Sequence, residues 1–258
     1  MLWWRTVTAL ILAPITLGAI LLGTWAVLLL VLLVVGLAAY ELSRALQPLP
    51  FPAALGAGVL PVLLSIPYEL PGIMAGALLS LPWALFWLAG KPEARTLRAV
   101  LAILLMAIWV GAPLAHLGLI SERPDAVRIP LILIAVVGPW VSDAGGYFAG
   151  RLFGRHLLFP TLSPKKTIEG GVGGLLLTTL VVGWVSVRYL GFPVPQAAMS
   201  GAAISILSQS GDLFESILKR ILDIKDLGRS LPGHGGALDR VDSLLFTAPA
   251  VYYISLLI

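Results

Sequence analysis

Between Asp212 and Asp242 the chain gathers most of the side chains that could do chemistry. At about 100° per residue, a helix beginning near Asp212 puts Asp212, Glu215, Ser216, Lys219, Arg220 and Asp223 on one face. Leu213, Phe214, Ile217, Leu218, Ile221 and Leu222 fall on the other. Such a stripe suits either a helix lying on a membrane surface or a charged site. Asp212, closing an apolar run, favours the site, because an ionisable residue at membrane depth is costly and is by default functional. Lys225, Asp226 and Arg229 follow, then Gly233-His234-Gly235-Gly236. Glycines there let the backbone approach a ligand and turn N–H groups toward an anion, although Pro232 and the glycines also suit a plain turn. Asp239 and Asp242 are three residues apart, so they share a helix face around Arg240. Asp239 also suits a helix cap.

A second polar stretch covers 143–170. Asp143 sits inside an apolar run, and Ser163-Pro164-Lys165-Lys166-Thr167 precedes Glu169-Gly170-Gly171. Two adjacent lysines serve as topology determinants touching lipid headgroups, or, with the following glycines, as a holder for a triphosphate tail. The spacing is not that of a P-loop. Asp143, Asp212, Asp239 and Asp242 together are hard oxygen donors in a chain without cysteine, which favours magnesium over zinc or iron. Magnesium amid Lys and Arg is the equipment of phosphoryl or nucleotidyl transfer, which needs charge neutralisation and in-line positioning.

The elements that must position these groups are membrane helices. Of 258 residues, 59% are apolar and only 12% charged, half the usual charged share of a soluble domain; mean hydropathy is +0.97. The spacing predicts an all-α, polytopic transmembrane bundle of about nine spans: 7–22, 25–40, 51–65, 72–89, 97–119, 129–148, 171–189, 196–213 and 241–258. Gly23-Thr24 makes the first two a helical hairpin. Arg5 ahead of an apolar run resembles a signal peptide, but the second run follows at once, so an uncleaved helix is expected. With the N-terminus cytoplasmic and the C-terminus outside, inner segments hold fourteen of the 17 Lys and Arg, leaving Arg123, Arg128 and Arg188 outside. The basic residues are scattered among short loops without interleaved aromatics, which excludes a nucleic-acid groove despite the net charge of +4. Residues 1–128 form apolar N-terminal helices with no chemistry of their own. There Glu41 and Arg44 are expected to form an interfacial ion pair, and His116 is a lone histidine. Residues 129–258 form the catalytic region, with cytoplasmic loops at 149–170 and 214–240.

The run Ser216-x-Leu218-Lys219-Arg220-x4-Lys225-Asp226-x-Gly228-x2-Leu231-Pro232-x-His234-Gly235-Gly236-x2-Asp239-Arg240-Val241-Asp242 resembles the signature of the phosphatidate cytidylyltransferase (CDP-diacylglycerol synthase) family. Gly211-Asp212-Leu213-x-Glu215-Ser216 and the run from Asp143 and Tyr147 through Ser163-Pro164-Lys165-Lys166-Thr167 to Gly170 are similar to it too. Ala237 stands where that family usually has a larger aliphatic residue, and Leu227 where a small polar one is common; neither change removes a charge.

The resemblance implies transfer of CMP from CTP to phosphatidate, giving CDP-diacylglycerol and pyrophosphate at the cytoplasmic face of a bacterial inner membrane. It implies Mg2+, with a monovalent cation such as K+ able to share the site, and it is compatible with a homodimer. By matching positions, Asp143, Asp212, Asp239 and Asp242 would hold metal. Lys219, Arg220, Lys225, Arg240, His234, Lys165 and Lys166 would neutralise phosphates. Ser163, Glu215, Ser216, Asp226, Gly235 and Gly236 would contact substrate. Asp212, Lys219, His234, Asp239 and Arg240 would form the catalytic set. The same polar residues could serve a CTP-dependent lipid kinase, or a cytidylyltransferase for another lipid phosphate. A secondary transporter is the reading from a different class, but transporter sites lie near the midplane in related pairs of spans, whereas these charges gather at one face and in one half.

Overall fold

The computed structural model describes residues 2–47, 49–88, 94–231, 233 and 235–258. His234, Pro232 and Lys91, all used in the sequence reading, lie outside the described residues. In chain order the elements are α1 (Leu2–Leu22), α2 (Thr24–Ala45), α3 (Phe51–Leu88), α4 (Ala94–Leu105), a π-helical segment (Met106–Gly111) and α5 (Ala112–Ser121). There follow α6 (Asp125–Phe153), β1 (Leu157–Phe159), β2 (Ser163–Thr167), α7 (Ile168–Leu190), α8 (Val194–Ile221), α9 (Leu238–Val241) and α10 (Leu244–Ser255). They form two compact units, one of residues 1–122 with 225–241, the other of 123–224 with 242–258.

Among the described residues, five helices are long and apolar enough to cross a membrane: Thr24–Ala45, Phe51–Leu88, Thr96–Ser121, Asp125–Phe153 and Ile168–Leu190. The chain is an all-α polytopic membrane protein apart from one short hairpin. α8 carries too many polar residues to count among the five, and α10 has only 12 residues.

In the first unit, α1 meets α2 at Gly23, whose φ of +99° other residues rarely adopt. Thr24 Oγ1 donates to the Ser121 carbonyl at 2.8 Å, fixing the start of α2 against the end of α5. α3 is two helical arms joined at a kink, where the chain reverses at Glu69 (φ 50°, ψ −132°), between Pro67 and Pro71. The two prolines remove helix donors on either side and make the reversal there. Its arms pack back on each other: Trp83 Nε1 donates to the Ala53 carbonyl at 2.9 Å, and a Cβ on Gly76 would lie 2.5 Å from Pro61 Cα. These arms cover the two expected spans at 51–65 and 72–89.

In the second unit, α6 and α7 touch along facing small residues. A Cβ on Gly145 would lie 2.8 Å from the Gly173 carbonyl, and one on Gly170 would lie 2.8 Å from the Gly146 carbonyl. In lipid, where apolar side chains gain little by meeting each other, such backbone approach and buried hydroxyl bonds hold helices together. The hydroxyls are Ser142 with Ser205 (3.0 Å), Thr247 to the Ala135 carbonyl (2.9 Å) and Ser243 to the Ser208 carbonyl (3.0 Å). The stretch 149–170 holds the end of α6, the antiparallel β1–β2 hairpin and the start of α7.

Candidate active site

The charged stripe at Asp212 is not a helix of its own. α8 runs unbroken for 28 residues from Val194 to Ile221, so Asp212 sits inside it rather than at a span end. The phase argument survives for Asp212 through Arg220, which α8 carries, but not for Asp223, which lies past the end of α8 with a φ of 52°. Asp212 and Glu215 come to one face, and Asp242, in the turn that leads into α10, joins them. Oxygens of Asp212, Glu215 and Asp242 all lie within 4.8 Å of one another. Glu215 is 2% exposed and the two aspartates are half-buried. Ser243, next to Asp242, donates its backbone N–H to the Asp242 carboxylate at 2.7 Å and its hydroxyl to Ser208, which pins the turn.

Three carboxylates so close repel unless cations intervene. Lys166, on β2, pairs with Asp212, and Lys219, one turn along α8, pairs with Glu215 at 2.6 Å. An all-oxygen donor set at this spacing fits a hard divalent cation such as magnesium and has no soft ligand for zinc or iron. Sequence reasoning placed Glu215 among substrate contacts; the structure gathers it with the aspartates.

The β1–β2 hairpin delivers Lys166 to this cluster. Thr167 caps α7, its hydroxyl accepting from Gly170 N–H at 3.1 Å. Glu169 accepts from Arg155 N–H (3.1 Å), His156 N–H (3.3 Å) and His156 Nδ1 (2.6 Å), closing the base of the hairpin. Arg220 Nε donates to the Leu162 carbonyl at 3.4 Å, tying the hairpin turn to the end of α8. Ser163 is half-buried and Lys165 exposed on the same strand. Of the two readings for the following glycines, the structure uses Gly170 to pack α7 on α6, and Gly171 lies against Gln209. Asp143 is exposed on α6, and Ser216 is half-buried on α8.

The glycine-rich loop, described within the first unit, is organised in part by carboxylates. Asp239 accepts from Leu227 N–H (3.3 Å) and Gly236 N–H (2.7 Å). Glu41, on α2, accepts from Ala237 N–H (2.7 Å) and Leu238 N–H (3.0 Å). Four loop amides are thereby committed internally. Leu231 N–H donates to the Gly235 carbonyl at 2.9 Å, closing a tight turn in which Gly233 and Gly235 have φ of 78° and 86°. The cationic side chains Lys225, Arg229 and Arg240 are exposed, as is Asp226. The unusual Leu227 and Ala237 are both buried, filling apolar space under the loop.

Glu41 is the residue that sequence reasoning misplaced. It does not pair with Arg44, which donates to the Tyr40 hydroxyl at 2.9 Å and lies over that ring. An ionisable group directly at the end of the expected 25–40 span was a usable signal; its partner amides, 196 residues away, were not.

Comparison with known proteins places these observations in a family. The model of the cytidylyltransferase family matches residues 3–258. Phosphatidate cytidylyltransferase of Mycobacterium leprae is 34% identical over 271 residues, 95% of this chain and 86% of that protein. The Bacillus subtilis phosphatidate cytidylyltransferase is 39% identical over 154 residues, 59% of this chain and 56% of the relative. The Synechocystis phosphatidate cytidylyltransferase is 43% identical over 140 residues, 52% and 45%. The chain thus spans about half the length of the last two. A family match running across nearly the whole sequence, over a helical membrane protein with clustered carboxylates and lysines, decides the assignment: this chain belongs to the cytidylyltransferase family.

Proposed function

We propose that the protein is a phosphatidate cytidylyltransferase, converting CTP and phosphatidate to CDP-diacylglycerol and pyrophosphate. The observation that carries this reading is the Asp212–Glu215–Asp242 cluster flanked by Lys166 and Lys219, within a chain whose relatives bear that name. Asp212, Glu215 and Asp242 would hold Mg2+, with Asp143 and Asp239 supporting it and K+ as a companion ion. Bound there, the metal supplies charge neutralisation for the triphosphate. A phosphatidate oxygen attacks the α-phosphorus of CTP, forming one P–O bond while the α–β bridging bond breaks and its electron pair leaves with pyrophosphate. Phosphatidate is already ionised at neutral pH, so no general base is required. Lys165, Lys166, Lys219, Arg220, Lys225, Arg240 and His234 hold the phosphates, and Ser163, Ser216 and Asp226 make polar contacts.

The site belongs at the cytoplasmic interface of a bacterial inner membrane, where a lipid and a charged nucleotide can meet. Nine spans with the N-terminus inside account for fourteen of the 17 Lys and Arg lying on one side. The two arms of α3, on either side of Glu69, would be two of those spans. The test is pyrophosphate release by purified protein given Mg2+, CTP and phosphatidate, with CDP-lipid identified as the other product. Phosphorylated lipid with CDP would instead indicate a kinase, and no turnover with any lipid phosphate would end the proposal.

A further inference from the structure

The mechanism above makes no use of the N-terminal helices, yet one buried carboxylate there holds the loop that carries Lys225, Arg229 and Arg240. Glu41 is 1% exposed. Both its oxygens accept backbone N–H groups, from Ala237 at 2.7 Å and Leu238 at 3.0 Å. The loop is shaped to admit it. A Cβ on Gly228 would collide with the Glu41 carboxyl, and one on Gly236 would sit 2.7 Å from Glu41 Oε2 and 2.8 Å from Gly228 N. At Gly228 and Gly236 the missing side chain makes room for Glu41. Asp239 grips the same loop from within, through Leu227 and Gly236. Burying a carboxyl near the C-terminal end of an apolar helix is expensive unless each oxygen is satisfied, as here.

We propose that Glu41 is a positioning residue for the transfer reaction: it fixes the 225–240 loop so that the loop's cations and Asp239 are presented in one conformation. This rests on the cytidylyltransferase reading. Glutamine at 41 keeps the size but turns an NH2 toward one of the two amides, so one bond is lost and donor faces donor. Alanine at 228 keeps Glu41 but leaves it no room.

The experiment uses the full chain in detergent, comparing wild type, E41Q, E41A, G228A and E41A/G228A. Pyrophosphate release is measured against CTP concentration, melting temperature by thermal denaturation, and loop order by the rate of trypsin cleavage after Lys225 and Arg229. E41Q is expected to lose about 10–100-fold in kcat/KM, the cost of a charged hydrogen bond. The KM for CTP should rise and loop cleavage quicken, while the melting temperature moves little. The double variant should lose no more than either single one, because both act through one contact. If E41Q does not fold, G228A carries the same measurements. E41Q turning over like wild type, or losing activity with loop cleavage unchanged, overturns the proposal. A wild-type protein that releases no pyrophosphate overturns the functional reading alone, and the cleavage rates then still judge Glu41.

Discussion

Asp242 is held in the carboxylate cluster by its own turn, where it accepts from the Ser243 N–H at 2.7 Å and comes within 4.8 Å of Asp212 and Glu215. Asp212 is engaged differently, paired with Lys166 and central to the proposed metal site. Asp212→Asn should cut pyrophosphate release by more than about 100-fold while the protein still elutes as a folded species.

At this scale much was legible. Asp212, Asp242 and Lys166 stood out because charges in an apolar chain are scarce. The companionship of Glu215 followed from helical phase, although its place among the acids needed Asp242 in space. The hydrogen bonds of Asp239 to Leu227 and Gly236 were foreshadowed by its position as a cap. Glu41 was misread because Arg44, one turn away, offered a local partner, and local spacing cannot see an amide 196 residues distant.

Among the elements, the α6–α7 seam makes the sharpest demand on sequence. Gly170→Val would drive a branched side chain into the Gly146 carbonyl and the Thr167 cap. Overpacking of this kind costs about 1–3 kcal/mol, to be read as a lower melting temperature in detergent. Gly36→Ala is the contrast, since nothing lies within 4 Å of its would-be Cβ; there the melting temperature should hold or rise, as Ala favours helix over Gly. The β1–β2 hairpin was not foreseen: Ser163 to Thr167 read as a loop because its pairing partner is only three residues long. The unbroken α8 was not foreseen either. Ser205, Ser208, Gln209 and Asp212 looked like the end of a span, whereas inside the unit the first three bond to Ser142, Ser243 and Gly171, Asp212 pairs with Lys166 on β2, and the helix continues.

For the whole molecule, the proposed orientation is open to direct measurement. The chain has no cysteine, so single cysteines report sidedness without background. α7 is 23 residues long, about 34 Å of helix, enough to cross a hydrocarbon core of about 30 Å. In oriented membrane vesicles, Lys165→Cys should label with an impermeant reagent from the cytoplasmic side and Arg188→Cys only from the opposite one. Labelling of both from one side would refute the span. Apolar composition made the membrane class legible at once, and five of the described helices are long enough to span. The reversal at Glu69 between the two arms of α3 shows why counting spans from hydropathy alone is difficult: the break lies between two prolines with no polar loop to mark it.

The bond between Glu41 and the amides of Ala237 and Leu238 also sets an order of assembly. During synthesis α2 enters the membrane with its acid unsatisfied, and some two hundred further residues must be made before its partners emerge. Until then water, a neighbouring headgroup or a proton must stand in for them. Closure of the loop is thus among the last steps of folding, a long-range contact completed after the local helices have formed. A nascent chain stalled before residue 237 would carry Asp212 and Glu215 on α8 but lack both Asp242 and the amides that latch Glu41, leaving its first half open to membrane proteases at an acid that later becomes enclosed.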